Sequence, residues 1–238
     1  MISVVIFTRD DAEWLARCLG GLEQGAGEPL EVIVFDNAST DGTAELVRGW
    51  RGPDGPAALL RATEDTSFSR GNNLGLAAAR GDLTLFLNPD AVVDPATLDA
   101  AAAAARSRGG LVGPRLRWED GTPQSNGWAL PTPAQLVREK ALGAPREVPA
   151  TGAGLTPVGW LMGCFLMGRT AELRAAGGFD ERYWFLGTDL EICARLGATR
   201  LDDHEILHRG HRAWTPERRK ATRQATLQWM TRSLRGLR

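Results

Sequence analysis

Three carboxylates in this chain have positions at which a side chain could do chemistry. Asp36 ends the apolar run "VIVFD", Asp90 follows "LFLNP", and Asp189 lies in "FLGTDLEIC". A carboxylate at the end of a buried strand can accept hydrogen bonds from a nucleoside or hold a divalent cation. A carboxylate that faces a bound hydroxyl can instead accept its proton as a general base. The sequence thus offers a candidate nucleoside contact, a candidate metal ligand and a candidate base.

The corner Asn88-Pro89-Asp90 is the candidate metal site. Proline fixes its own φ and keeps the preceding residue extended, so Asp90 leaves the strand in a defined direction. Magnesium is commonly bound by one or two carboxylates together with substrate phosphates and water. One aspartate is therefore enough if a diphosphate supplies further ligands. The alternative is a turn without a ligand, which the same tripeptide forms in many loops.

The stretch around Asp189 predicts the start of a helix. Thr188 and Glu191 have the spacing of a capping box, which places Asp189 in the first helical turn. The positive end of the helix dipole stabilises a carboxylate there as an anion, which leaves it able to accept a proton. The alternative role is helix stabilisation alone. Asp36 has a similar alternative, because an aspartate at a strand exit can simply cap its own turn.

All three histidines, His204, His208 and His211, lie in "HEILHRGH". On a helix, the four-residue spacing of His204 and His208 would suit a metal, but the intervening residues read equally well as a short strand. A second possibility is that one histidine completes the Asp90 site on the far side of a bound diphosphate. The remaining alternative for each is an ordinary surface or loop residue.

The elements that must position these groups follow from the apolar runs. Runs rich in branched residues at 2–7, 31–35, 57–61 and 83–87 alternate with helical patterns. This alternation predicts an α/β fold with a central, mostly parallel sheet flanked by helices. Ligands of such sheets bind outside the carboxyl ends of the strands. The polar groups there are Thr8-Arg9-Asp10, Asp36-Asn37 and Asn88-Pro89-Asp90, with Gly71-Asn72-Asn73 as a tight backbone approach beside them.

The chain is predicted to form one domain, residues 1–208, followed by a basic tail, residues 209–238. Residues 118–157 contain six of the thirteen prolines and show no periodicity. This composition predicts an irregular excursion over the mouth of the sheet, and long loops in compact domains are often functional.

The tail has nine Lys or Arg residues and one acid. Its apolar residues at helical spacing are Leu227, Met230, Leu234 and Leu237. A basic amphipathic helix of this kind contacts anionic lipid, docks on a partner such as a second copy of the chain, or packs against its own domain.

Composition narrows the function classes. The formal net charge of −1 argues against a globally basic nucleic-acid binder. Three widely spaced cysteines without C-x-x-C spacing indicate neither a disulfide framework nor a zinc site. The N-terminal apolar run is too short for a signal peptide, and no apolar run reaches bilayer-spanning length. We therefore expect a cytoplasmic protein, at most peripheral at the inner face of the membrane.

Four stretches follow one another along most of the chain. They are "VIVFDNASTDGT", "FSRGNNLGLAAARGDLTLFLNPDAVVDP", "VGWLMGCFLMGR" and "GGFDERYWFLGTDLEICARL". Together they resemble the family-2 glycosyltransferases of the Rossmann-like GT-A fold, in particular their rhamnosyltransferase-like branch. The resemblance implies an inverting enzyme that transfers a sugar, rhamnose among the candidates, from a nucleotide-diphosphate sugar to an acceptor hydroxyl. It also implies Mg²⁺ or Mn²⁺ as cofactor.

The resemblance assigns roles to individual residues. Asp189 matches the catalytic base, and Asp90 matches the metal ligand. His208, with His211 as the alternative, matches the late metal-binding histidine. The residues implied to bind substrate are Thr8, Asp10, Asp36, Arg70, Asn73, Asn88, Asp90, Trp160 and Gly163. The implied donor is a dTDP- or UDP-sugar, and the implied acceptor is a glycan, a glycolipid or a small molecule. The acceptor is expected to meet the 118–157 excursion.

Two positions depart from the family pattern. Arg9-Asp10 stand where the family has a tyrosine-asparagine pair, and Thr188 precedes Asp189 where the family has glutamate. The second departure leaves a non-catalytic nucleotide-sugar-binding module as the alternative function. A sugar nucleotidyltransferase is the other alternative, but its glycine-rich loop after the first strand is missing, since no glycine precedes Gly20.

Overall fold

The computed structural model describes residues 1–132 and 147–210, together with residues 224, 227–229 and 231. The helices are α1 (Ala12–Leu22), α2 (Thr43–Gly49), α3 (Phe68–Ala78), α4 (Pro95–Arg108), α5 (Thr170–Ala175) and α6 (Thr188–Leu196). The strands are β1 (Ile2–Thr8), β2 (Leu30–Asp36), β3 (Arg51–Gly52), β4 (Gly55–Pro56), β5 (Ala58–Arg61), β6 (Leu83–Leu87), β7 (Ala91–Val92), β8 (Leu111–Arg117), β9 (Pro123–Gln124), β10 (Leu155–Val158), β11 (Phe165–Arg169) and β12 (Ala198–His208).

One large sheet organises the described part of the chain. Its strand order is β10, β12, β8, β11, β6, β1, β2, β5, with β7 paired to β12 and β9 paired to β8. The run β6, β1, β2, β5 is parallel. Strand β11 is antiparallel to both of its neighbours, β6 and β8. The carboxyl ends of β1, β2 and β6 therefore share one edge, at which Thr8, Asp36 and Asn88 lie.

Alternate residues of the central strands face two separate cores. Val4 packs on the side of α1 and α4, in the cluster that contains Leu15 and Leu98. Val5 faces the other side and shares a cluster with Leu76 of α3 and Ile192 of α6. Helices on both faces explain why these strands read as continuous apolar runs. The edge that carries the polar residues is thus held by packing from both sides.

The predicted fold class is confirmed. The apolar runs at 2–7, 31–35, 57–61 and 83–87 are β1, β2, β5 and β6, shifted by at most one residue at either end. Pro95 is the first residue of α4, as its composition predicts, and the Asp94 side chain caps that helix through the Thr97 N–H.

Most of the basic tail, including Met230, Leu234 and Leu237 of the predicted apolar stripe, lies outside the described residues. Leu227 is helical and exposed. Residues 133–146 of the predicted excursion also lie outside. No helix among the described residues is long and apolar enough to cross a bilayer.

Candidate active site

The ends of β1 and β2 form a buried polar pair. Parallel register sets Thr8 beside Asp36, and both residues are buried. Asp36 Oδ1 accepts a hydrogen bond from the Ser39 N–H (2.9 Å), and Arg61 Nε lies 3.1 Å from Oδ2. The Arg61 guanidinium balances the negative charge of Asp36, but its N–H does not point at Oδ2 as a hydrogen bond requires. Among the described residues, Asp36 Oδ2 and Thr8 Oγ1 have no hydrogen-bond partner. Buried polar atoms are normally paired, so both atoms are candidates for hydrogen bonds with a ligand.

Asp10 joins these two strand exits. Its backbone has a φ of 47°, and its N–H donates to Ser39 Oγ at 2.9 Å. Its Oδ1 accepts from the Thr40 N–H at 2.7 Å. The observed contacts of Asp10 therefore lock the β1 and β2 exit loops together, and its contact with substrate stays a prediction.

Asp90 lies at the candidate metal corner and contacts the end of β12. Strand pairing sets His208 opposite Ala91, which brings His208 Nε2 to 3.5 Å from Asp90 Oδ1. The Gly210 N–H donates to Asp90 Oδ2 at 3.1 Å. Burial alone would raise the pKa of Asp90, but the His208 imidazole and the Gly210 N–H outweigh it and hold that pKa below its ordinary value. Asp90 is therefore held as an anion.

The second nitrogen of His208 determines what the pair can bind. His208 Nδ1 lies 3.0 Å from Gln124 Oε1 in a buried contact. Donation from Nδ1 to this oxygen leaves the Nε2 lone pair of a neutral ring facing the carboxylate. Two acceptors that face each other need a cation between them, either a proton on the ring or a metal ion. The donor set of Asp90 and His208 therefore fits a divalent metal.

Two protein ligands leave most of a metal's coordination open. Among the described residues there is no group of three or more His, Cys, Asp or Glu side chains that could hold a metal ion. A diphosphate and water would supply the remaining ligands, as is common for Mg²⁺ sites. Gln124, which orients His208, was not found by sequence reasoning, because nothing in its sequence context marks it.

The other two histidines have different outcomes. β12 runs through residue 208, so the helical metal pair of His204 and His208 is wrong and the strand reading is right. His204 pairs instead with its neighbour Asp203, with Nδ1 2.9 Å from Oδ1. His211 lies outside the described residues.

Helix α6 begins at Thr188, as the sequence predicts, but the capping box is wrong. Gly187 is the N-cap residue, with a φ of 84° that favours glycine. Thr188 Oγ1 donates to the Phe185 carbonyl at 3.1 Å, and the Glu191 side chain pairs with an arginine one turn further along. Thr188 therefore tightens the loop before the helix, and Asp189 remains in the first turn as predicted.

Asp189 is half-buried and has no cationic partner among the described residues. Its oxygens accept hydrogen bonds from the Leu190 N–H (2.9 Å) and the Gly163 N–H (3.3 Å). Burial raises the pKa of Asp189 above its ordinary value, and the N–H donors offset only part of that effect. The sequence predicts that the helix start keeps the pKa of Asp189 low, and this expectation is corrected because desolvation has the larger effect on that pKa. A carboxylate with a raised pKa is a better proton acceptor once it is ionised.

Two consecutive residues, Gly163 and Cys164, connect the candidate base to the metal corner. The Gly163 N–H contacts Asp189 Oδ2, and the Cys164 carbonyl accepts the Asn88 N–H at 2.9 Å. Burial raises the pKa of the Cys164 thiol, and the negative charges of Asp90 and Asp189 raise it further. Both carboxylates therefore influence Cys164, the residue that precedes β11. Their action in one catalytic site stays a prediction.

The remaining predicted substrate contacts lie around this edge. Arg70 is exposed in the first turn of α3. Asn73 exchanges two hydrogen bonds with the Phe179 backbone (2.8 and 2.9 Å), so its amide anchors the loop before α6. Trp160 stacks on Trp128 with ring centroids 4.3 Å apart. Their contacts with substrate stay predictions.

A buried ion pair holds the 118–157 excursion, and sequence reasoning missed it. Arg200 and Asp202 on β12 are buried and 2.6 Å apart. Asp202 accepts hydrogen bonds from the Thr151 N–H and hydroxyl, and Arg200 donates to the Asn126 carbonyl. Burial raises the pKa of Asp202, but these donors outweigh it and lower the pKa. Both ends of the excursion are thereby fixed to the sheet.

This sheet, with helices on both faces, has the GT-A fold of the solved glycosyltransferases that it resembles. The mannosyltransferase PcManGT from Pyrobaculum calidifontis has the same fold (TM-score 0.66, 20% identity, 98% of this chain and 64% of that one). S. aureus TarS 1–349 matches with a TM-score of 0.61 at 20% identity, over 87% of this chain and 60% of that one. The chain thus spans less than two thirds of either neighbour.

Sequence comparison gives the family. The model of glycosyl transferase family 2 matches residues 3–152, and the chain belongs to this family. The N-acetylglucosaminyl-diphospho-decaprenol L-rhamnosyltransferase of Mycobacterium tuberculosis (strain ATCC 25618 / H37Rv) is 29% identical, over 94% of this chain and 80% of the relative. The O-antigen biosynthesis protein RfbC of Myxococcus xanthus is 31% identical over 87% of this chain, but only 18% of that protein is covered. The predicted rhamnosyltransferase-like resemblance is confirmed.

Proposed function

We propose that this glycosyltransferase moves L-rhamnose, with inversion, from a nucleotide-diphosphate sugar to an acceptor hydroxyl. The supporting observation is the link through Gly163 and Cys164 between Asp189 and the Asp90 corner. The two carboxylates have pKa values displaced in opposite directions. A hydroxyl that displaces a diphosphate needs both environments, one that accepts its proton and one that neutralises the leaving group.

The ionised Asp189 carboxylate accepts the proton of the acceptor hydroxyl as that oxygen attacks the anomeric carbon. Direct attack from the face opposite the diphosphate inverts the configuration at this carbon. The Gly163 and Leu190 N–H groups hold the carboxylate in one orientation. A positioned base of this kind contributes about 10²–10⁴-fold to the rate.

Asp90 and His208 would hold the divalent cation, Mg²⁺ or Mn²⁺. When bound, the cation acts as a Lewis acid that stabilises negative charge on the diphosphate. A related fold binds such an ion, since PcManGT was solved with GDP-Man and Mn²⁺. Asp36 Oδ2 and Thr8 Oγ1, which lack aligned partners, would hydrogen-bond the nucleoside.

The relatives suggest the substrates. The mycobacterial relative is named for rhamnosyl transfer to N-acetylglucosaminyl-diphospho-decaprenol. We assign dTDP-L-rhamnose as donor and a lipid-linked glycan as acceptor. The basic tail from residue 209 would form a separate segment that contacts anionic lipid or a second copy of the chain. Sedimentation with anionic vesicles, compared with a variant truncated after residue 210, tests the lipid contact.

A thermal-shift panel tests the proposal. The donors are dTDP-L-rhamnose, UDP-GlcNAc and GDP-mannose, each with Mn²⁺ and with EDTA. A ligand at 100 times its Kd stabilises the fold by about 2.7 kcal/mol, which raises Tm by roughly 5–10 °C for a chain of this size. We expect this shift with dTDP-L-rhamnose and Mn²⁺, followed by turnover of that donor. Stabilisation without any turnover would instead indicate a non-catalytic binding module.

A further inference from the structure

Three consecutive apolar side chains are exposed just before the helix that carries Asp189. Trp184 and Phe185 are each 61% exposed, and Leu186 is 38% exposed. Tyr183, the preceding residue, is buried. Single exposed apolar residues are ordinary, but a contiguous run beside a functional site is a candidate binding surface.

The backbone of this run is firmly held. The Trp184 carbonyl accepts the Phe68 N–H at 3.0 Å, and the Tyr183 carbonyl accepts the Ser69 hydroxyl at 2.7 Å. The Phe185 ring packs edge-on against the Phe68 ring, with centroids 5.8 Å apart. The exposure of Trp184 therefore belongs to a loop that is fixed to the first turn of α3.

This attachment joins Trp184 to the start of the helix that carries Arg70. The Trp184 carbonyl touches the start of α3, where Arg70 is expected to contact the donor. Five residues further along the chain is Asp189, so the two Cα atoms are at most about 18 Å apart. This separation is compatible with a substrate that contacts both Asp189 and the indole.

The surroundings favour a single sugar ring as occupant. The apolar run is bordered by charged residues, since Glu181 is exposed and the Arg182 side chain is 69% exposed. An apolar run of three residues is smaller than the surfaces of roughly 20–30 residues that protein partners bury. The face of an indole carries partial negative charge and therefore attracts the polarised C–H groups of a pyranose ring.

We propose that the indole of Trp184 is the stacking platform for the pyranose ring of the acceptor, with Phe185 supporting it. This inference rests on the proposed function and adds the acceptor side of the site. Trp184 is then a specificity-determining residue that acts on acceptor binding, and it does not contact the donor.

The test separates acceptor binding from donor chemistry. Wild type, Trp184→Ala and Trp184→Phe are assayed for rhamnosyl transfer from dTDP-L-rhamnose to N-acetylglucosaminyl-diphospho-decaprenol and to methyl pyranosides. Donor hydrolysis by water is measured without acceptor. We expect Trp184→Ala to raise the acceptor KM about tenfold, which corresponds to about 1.4 kcal/mol. Hydrolysis and the donor KM should stay at the wild-type values, and Trp184→Phe should recover most of the acceptor affinity.

Leu74→Ala is the matched control, because Leu74 is another exposed apolar side chain, 44% exposed, on α3. We expect Leu74→Ala to keep the wild-type acceptor KM, donor KM and rate of donor hydrolysis. Three results would overturn the platform. They are an unchanged acceptor KM in Trp184→Ala, a loss of donor hydrolysis equal to the loss of transfer in that variant, and a wild type that hydrolyses the donor but transfers rhamnose to none of the pyranose acceptors. A wild type that neither hydrolyses nor transfers any donor contradicts the proposed function instead.

Discussion

Two aspartates at one edge of the sheet have opposite surroundings. Asp90 has a histidine nitrogen 3.5 Å from one oxygen and a backbone N–H on the other. Among the described residues Asp189 accepts hydrogen bonds from backbone N–H groups, which include those of Leu190 and Gly163, and from no cationic side chain. Burial acts on both carboxylates, but only Asp90 has a partner that outweighs it. The same functional group is thus prepared for a cation in one place and for a proton in the other.

The difference shows how this fold divides the work between its elements. The metal corner is assembled by long-range pairing of β7 with β12, which sets His208 beside Asp90. The base is positioned by a local feature, the glycine N-cap of α6. The segment before β11 contacts Asp189 through the Gly163 N–H and the metal corner through the Cys164 carbonyl, which accepts the Asn88 N–H. Each carboxylate can therefore be tested without disturbing the other.

Asp189→Asn should have the largest effect. It keeps the side-chain shape but removes the proton acceptor, so we expect transfer to fall by about 10²–10⁴-fold while donor binding is retained. Glu191→Gln is the control, because Glu191 is an acid in the same first turn. If Glu191→Gln lost as much activity, both acids would act through the helix dipole and Asp189 would not be the base.

His208→Ala should have the next largest effect, through the metal. Loss of a ligand should raise the Mn²⁺ concentration required for half-maximal turnover by about 10–100-fold, by analogy with the loss of metal-supporting residues. His204→Ala serves as the control, since His204 is on the same strand and pairs with Asp203. If both variants required the same Mn²⁺ concentration, His208 would not be a metal ligand.

The pH dependence of transfer should report the raised pKa of Asp189. Protonated Asp189 cannot accept a proton, so the rate falls about tenfold per pH unit below the folded-state pKa and levels off above it. The midpoint should lie above the ordinary aspartate value of 3.8. A rate that stays constant down to that value would show that the carboxylate is not desolvated or is not the base.

Asp90→Asn and Asp189→Asn should change the thermal stability of the protein in opposite directions. In EDTA at pH 7, Asp90→Asn removes a partner of His208 and should cost about 1–3 kcal/mol, or at least about 2 °C in Tm. Asp189→Asn should raise Tm. A raised folded-state pKa means that ionisation above the unfolded value opposes folding, and the amide removes that charge. Tm shifts of the same sign in both variants would contradict the opposite displacement of the two aspartate pKa values.

Some of this arrangement could be predicted from the sequence. The exits of β1, β2 and β6 stand out because polar residues follow apolar runs, and parallel strands bring such exits to one edge. The capping box at Thr188 failed because the left-handed Gly187 already begins the helix, which residue spacing does not reveal. Strand β8 was missed because Gly113 and Pro114 interrupt its apolar pattern.

Other features depend on contacts that no local pattern encodes. The buried Arg200 and Asp202 pair is two residues apart on β12, but its partners come from the excursion around residues 126 and 151. The raised pKa of Asp189 depends on how deeply the tertiary fold buries it. The sequence predicted the position of Asp189 in the first helical turn correctly. Burial, and not the helix dipole, has the largest effect on the pKa of its carboxyl.

Calorimetric titration of dTDP into wild type, Asp90→Asn and Asp189→Asn, each with Mn²⁺ and with EDTA, tests the division of labour most directly. We predict that Mn²⁺ strengthens binding at least about tenfold in wild type and Asp189→Asn, and has no effect in Asp90→Asn. Metal-dependent binding that survives in Asp90→Asn, or disappears in Asp189→Asn, would contradict the assignment of the cation to one carboxylate and the proton to the other.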